Sequence, residues 1–173
     1  MKIFREWLIG LRLYLQLSLF LAFPSSLPYS PGALVLSVFA YILVGVALLG
    51  EIKNLFQIML QIGIEILILY LISYSVLALQ KKPQRLLQTM SSLIGVNLII
   101  SIASLLLVAM LPDMQRSETP DPMLIQLNLA ILLWNLAAIS LIFKRSFEIK
   151  TITAGFIAFN YLLLYEFIIL NFL

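Results

Sequence analysis

The 173-residue chain contains no cysteine and no histidine. It therefore has no disulfide, no thiol nucleophile, no imidazole-dependent triad and none of the usual zinc or iron–sulfur ligand sets. Charge is scarce too, since only 11% of residues are charged, against ~25% in soluble domains. In their place, 62% of residues are apolar and the mean hydropathy is +1.08. Such a chain cannot cover a folded surface with polar groups in water, so the sequence predicts an integral membrane protein. The net charge of +3 does not imply a nucleic-acid partner, because the cations sit in short connectors between apolar runs.

Five stretches have about the length that a helix needs to cross ~30 Å of hydrocarbon. They run over about 31–50, 55–79, 86–111, 123–143 and 151–172. The expectation is an all-α polytopic bundle of five transmembrane helices, residues 24–173, preceded by an amphipathic interfacial helix over 1–23. In that first segment Arg5, Arg12 and Gln16 share one helical face, opposite Trp7, Leu11, Tyr14 and Ser18. Leu8, Leu15 and Leu19 form a lateral strip, a pattern suited to the membrane interface. A signal peptide is the rival reading, but Pro24 intervenes before Ser25 and Ser26, and no small-x-small cleavage site follows. Pro24, Pro28 and Pro31 mark a linker, with Pro31 suited to the first turn of the next helix.

Lys and Arg placement orients the chain. With the first span leaving the cytoplasm, Lys2, Arg5, Arg12, Lys81, Lys82, Arg85, Lys144, Arg145 and Lys150 fall inside, and only Lys53 and Arg116 outside. The expected location is the inner (plasma) membrane, with a cytoplasmic N-terminus and an outer C-terminus. The connectors are too short to enclose a soluble catalytic domain.

The informative residues are those that hydrocarbon disfavours. At 1.5 Å per residue, Glu65, Asn97, Asn135 and Asn160 all fall about 14–18 Å from a helix end, near the midplane. Glu166 and Asn128 share a shallower layer. A carboxyl group facing lipid has no partner, and no span carries a central Lys or Arg. Glu65 is therefore expected to pair with Asn97, Asn135 or Asn160, and Glu166 with Asn128, each acid protonated and donating to an amide oxygen. For Glu65 two roles stand open: a neutral acid holding helices together, or a proton-titrating site or contact to a partner's cation. The Asn residues read mainly as packing glue.

Small residues at Ala137, Ala138 and Ser140, with Ser101, Ala103 and Ser104, allow close approach of the third and fourth spans. Trp7, Tyr29, Tyr74 and Tyr161 are candidates for the interfacial belt, and Trp134 for packing. The basic groups Lys81, Lys82, Arg85 and Lys144, Arg145, Lys150 read first as topology signals. Each would also be drawn to anionic headgroups.

The five-helix layout with short connectors, and the stretch KKPQRLLQT from Lys81 to Thr89 leading into the third span, resemble the small Yip1-like membrane proteins. That resemblance implies a five-span bundle and, by analogy with eukaryotic members, an adaptor role in membranes. The chain lacks their long cytosolic start and a DLxGP-like element, so it carries over no functional residue.

By elimination the expected function is a non-enzymatic inner-membrane accessory or scaffold protein that binds or stabilises another membrane protein. Membrane lipids and a second copy of the chain are further partners, and no cofactor is implied. The alternative is a small oligomeric proton-linked transporter or channel using Glu65. A lipid-modifying enzyme would have only Glu166, or Asp113 with Arg116, to work with.

Overall fold

The computed structural model describes residues 2–50, 52–110 and 122–172. The connector over 112–121, with Asp113 and Arg116, lies outside the described residues. Among those described there are six α-helices: α1 (Lys2–Ser18), α2 (Pro31–Leu49), α3 (Leu55–Leu79), α4 (Leu86–Met110), α5 (Pro122–Phe147) and α6 (Thr151–Phe172). Helices α2 to α6 are each long and apolar enough to cross a membrane. Their bounds follow the sequence expectation, except that α5 runs four residues past 143. Lys144 and Arg145 in its last turn suit the negative end of the helix dipole.

The helix starts are chemically marked. Ser30 caps α2, its Oγ accepting from the Ala33 N–H, and Pro31 follows at the first position. Asn54 and Gln57 form a reciprocal capping box on α3. Three helices end differently from the glycine rule, with Phe20, Lys81 and Glu148 in the left-handed region. In each case the next N–H bonds back five residues, as in Leu21 to Gln16, Lys82 to Leu77 and Ile149 to Lys144. Because a side chain is strained there, Lys81→Gly is expected to stabilise the fold by about 0.5–1 kcal/mol. A rise in the unfolding midpoint in detergent checks it, and a fall would mean that the Lys81 side chain makes a stabilising interaction.

Helix α4 is the centre of the bundle, and every residue from Thr89 through Leu98 is buried. It packs against α1, α2, α3 and α5, so an apolar surface all round is what its position requires. The main core joins Tyr14 and Leu17 of α1, Leu69 and Leu77 of α3, Leu93 and Val96 of α4, Phe143 of α5 and Ala158 of α6. Outward-facing Phe39, Leu43, Leu71, Phe156 and Phe167 stay exposed, as suits a bundle whose solvent is lipid.

In α1, Arg5 and Arg12 are exposed, Trp7, Leu11 and Gln16 are half-buried, and Tyr14 and Ser18 are buried. The structure adds the helix's course. Leu11 packs on the cluster that holds Tyr41 and Leu98, and Tyr14 meets Ser37 and Gly95. The Ser18 carbonyl accepts from Trp134, and the Phe20 and Ala22 carbonyls accept from Arg145. These contacts step backward along α2 and α4, so α1 runs antiparallel to both. The small residues also serve a pair that the sequence reading passed over, because Gly155 of α6 lies against Ser140 of α5, and these two helices pack closely.

Candidate functional site

Glu65 lies on the inward face of α3 and is only 6% exposed. Three side chains from three other helices close around its carboxyl group. The Tyr41 hydroxyl of α2 donates to Oε2 at 2.6 Å, and Asn97 Nδ2 of α4 donates to Oε1 at 2.6 Å. The Tyr161 hydroxyl of α6 donates to Oε1 at 3.2 Å. The carboxyl group thus receives hydrogen bonds from three neighbours and joins four helices at one point. Inside hydrocarbon, where no water competes for these groups, leaving any of them unpaired is unfavourable.

A second polar rung lies one turn away. Gln61 precedes Glu65 by four residues, and Tyr165 follows Tyr161 by four, so each pair stacks along its own helix. Gln61 Nε2 donates to the Tyr165 hydroxyl at 2.8 Å, and Lys53 Nζ, just before α3, donates to Gln61 Oε1 at 2.8 Å. The Tyr161 and Tyr165 rings stack with centroids 6.4 Å apart. Two polar rungs, each hydrogen-bonded within itself, therefore stand in succession between the end of the bundle that holds Lys53 and Glu65. On the other side of Glu65 the inward residues of α3 are Ile68 and Leu69, both buried.

Several expectations need correction. Of the four midplane residues only Glu65 and Asn97 meet, and the amide donates to the acid rather than accepting from it. Two phenols and an amide N–H converge on the carboxyl group, which leaves it the acceptor's role. Asn97 Oδ1 and Asn135 Oδ1 are buried without a partner, while Asn160 is exposed and donates to its own helix at the Phe156 carbonyl. Asn128 and Glu166 are both exposed, and no hydrogen bond joins them. Depth along a helix leaves azimuth open: Glu166 stands ~100° around α6 from the inward-facing Tyr165. Tyr161, proposed for the interfacial belt, is 4% exposed and belongs to the site. The four-residue spacing of Gln61–Glu65 and Tyr161–Tyr165 was the available signal, since two such pairs on antiparallel helices form rungs.

The basic groups are partly engaged at one end of the bundle, called here the basic end. Lys82 and Arg85 both form ion pairs with Glu148, and Gln80 Nε2 donates to the Phe147 carbonyl, joining the end of α3 to the end of α5. The Lys82 ammonium and the Arg85 guanidinium hold the Glu148 carboxyl below its ordinary range. A depressed value means that the pair's contribution is present above the ordinary carboxylate range and lost as pH falls through the lowered one. A carbon-13 titration of Glu148 should therefore show a midpoint below the ordinary carboxylate range, moving up toward it in Lys82→Gln. Lys81 and Lys150 are exposed, and Lys144 is half-buried.

Three clefts among the described residues bear on the site. An open, almost wholly apolar groove of about 700 Å³ lies among α2, α3 and α4, lined by Leu34, Val38, Ile42, Gly63, Ile66 and Ile94 among others. A second of about 150 Å³ lies at the basic end, and a third of about 220 Å³ beside Phe156 and Tyr161. Glu65 lines none of them. No three His, Cys, Asp or Glu side chains cluster as metal ligands among the described residues. No family model, curated protein or solved structure matches the chain.

Proposed function

We propose that this protein is a non-enzymatic membrane protein that binds or stabilises another integral membrane protein by receiving one of its helices. The observation that carries this reading is the apolar groove among α2, α3 and α4. Its wall is opened by Gly63, where an added Cβ would meet nothing within 4 Å. Small residues let a neighbouring helix approach closely, which is how helices associate when lipid is as apolar as their side chains. The enclosure of Glu65 by Tyr41, Asn97 and Tyr161 supports a holding role for that acid.

Extraction of the native membrane into polymer discs, followed by mass spectrometry, tests the reading. A membrane protein should co-purify in stoichiometric amount, and Gly63→Leu should abolish its recovery while leaving the unfolding midpoint within a few degrees of the parent. Recovery of identical amounts with Gly63→Leu removes the groove from the account. A homo-oligomer in place of a second protein would identify the bound helix as this chain's own.

The rungs Lys53–Gln61–Tyr165 and Tyr161–Glu65 favour a second reading, proton-linked transport by an oligomer. The two readings separate on Glu65→Gln. In liposomes under a pH gradient, an accessory protein shows the same low proton flux with Glu or Gln at that position. A transporter loses its flux.

A further inference from the structure

At the basic end, the turn at Pro24–Ser26, the start of α4 and the end of α5 enclose the cleft of about 150 Å³. By volume it has room for about five water molecules. Arg85, Gln88 and Thr89 line one side, Arg145 and Ser146 the other, with Glu148 at the rim.

Arg145 is held in place without an acid. Its Nη1 donates to the Ala22 carbonyl and Nη2 to the Phe20 carbonyl, and the guanidinium sits 4.2 Å over the Phe23 ring. It pairs with no carboxylate among the described residues; both ion pairs found there belong to Glu148. Lys82, Arg85 and Arg145 thus stand against the single charge of Glu148, a local excess of two positive charges. Ser146 is the second observation. It is 4% exposed, it lines this cleft, and its Oγ is buried with no hydrogen-bond partner. A buried hydroxyl without a partner is unfavourable, and a ligand that accepts from it removes the deficit.

Arg85, Arg145 and Ser146, whose hydroxyl has no partner, all line this cleft. A phosphate ester offers several acceptor oxygens directed to different sides, together with the charge the excess requires, and planar guanidinium forks match it. The cleft opens at the ends of spanning helices, the level at which lipid headgroups lie. We propose that it binds the phosphodiester of a lipid headgroup of net negative charge, with Arg145 and Arg85 supplying the charge and Ser146 a donor. This stands independently of the groove and its occupant.

The test uses the full chain in mild detergent, titrated with phosphatidylglycerol or phosphatidylcholine and read by native mass spectrometry. Phosphatidylglycerol should be retained about ten-fold more tightly, the scale of one good charge-assisted contact. Arg145→Gln should bring that preference down to the level of phosphatidylcholine. Because Arg145 also holds two backbone carbonyls, Ser146→Ala supplies a milder variant. It should weaken phosphatidylglycerol retention several-fold without lowering the lipid-free unfolding midpoint. Lys81→Asn, which removes an exposed cation outside the cleft, should leave retention unaltered. If Lys81→Asn weakens retention as much as Arg145→Gln does, the attraction is diffuse and the site is refuted. If inorganic phosphate raises the unfolding midpoint of the parent but not of Ser146→Ala, while phosphatidylglycerol is not retained, the phosphate chemistry stands and its source is free phosphate. Absence of any lipid preference together with absence of a phosphate effect overturns the proposal.

Discussion

Glu65→Ala is expected to lower the stability of the bundle by about 2–4 kcal/mol. Three hydrogen bonds vanish together, each worth ~0.6 kcal/mol on average inside a membrane protein, and the removed side-chain atoms leave a void. Tyr41, Asn97 and Tyr161 also lose the acceptor they share. Glu65→Gln should cost far less, about 1 kcal/mol, because the amide keeps the shape and one acceptor oxygen and the Tyr41 hydroxyl can rotate to accept. The measurement is an unfolding equilibrium in bicelles for both variants. If alanine at this position were no less stable than glutamine, the idea that the enclosed carboxyl group ties four helices would be false. The double variant Glu65→Ala with Asn97→Ala should cost less than the sum of its parts, since both act through one hydrogen bond.

Gly95→Ala should be the most damaging single methyl group in the molecule. The added Cβ would lie 2.2 Å from Cδ1 and 2.3 Å from Cγ of Tyr14, and these are ring atoms near the root of the side chain. Tyr14 has little freedom to withdraw. It is 2% exposed, and its hydroxyl donates to Ser37 Oγ, whose own proton goes to the Ala33 carbonyl. Relief has to come from movement of α1 itself, at an expected cost of about 2–3 kcal/mol. A comparable contact at Gly45 involves only the terminal Cδ1 of Ile62, at 2.8 Å, so Gly45→Ala should be tolerated. The chain has no native cysteine, so a single cysteine at Leu11 reports the movement by its labelling rate. That rate should rise in Gly95→Ala and stay unchanged in Gly45→Ala. Once Tyr14→Ala has been made, adding Gly95→Ala should cost almost nothing more; a full additive penalty would place the strain elsewhere.

The two variants concern features of different legibility. Glu65 stood out in the sequence because a carboxyl group within an apolar run demands partners, and Asn97 was one of three proposed for it. Tyr41 and Tyr161 were not singled out as partners, because tyrosine in a span has several ordinary uses and its hydroxyl declares no partner. Gly95 had no legible role at all. Its importance comes from Tyr14, eighty-one positions earlier, and nothing in the spacing of either residue points to the other.

The sequence alone determined the class of molecule, the number of long apolar helices, their approximate ends and the position of each polar side chain along its helix. Those follow from composition, run length and a fixed rise per residue, all local or additive along the chain. Only the tertiary structure decided which polar groups of one depth meet, that α1 runs back along α2 and α4, and that Arg145 and Ser146 share a cleft with Arg85. The physical reason is rotational: a helix repeats every ~3.6 residues, so its sequence fixes the relative azimuth of its own side chains. Which neighbour each face meets is set by the packing of all six helices together.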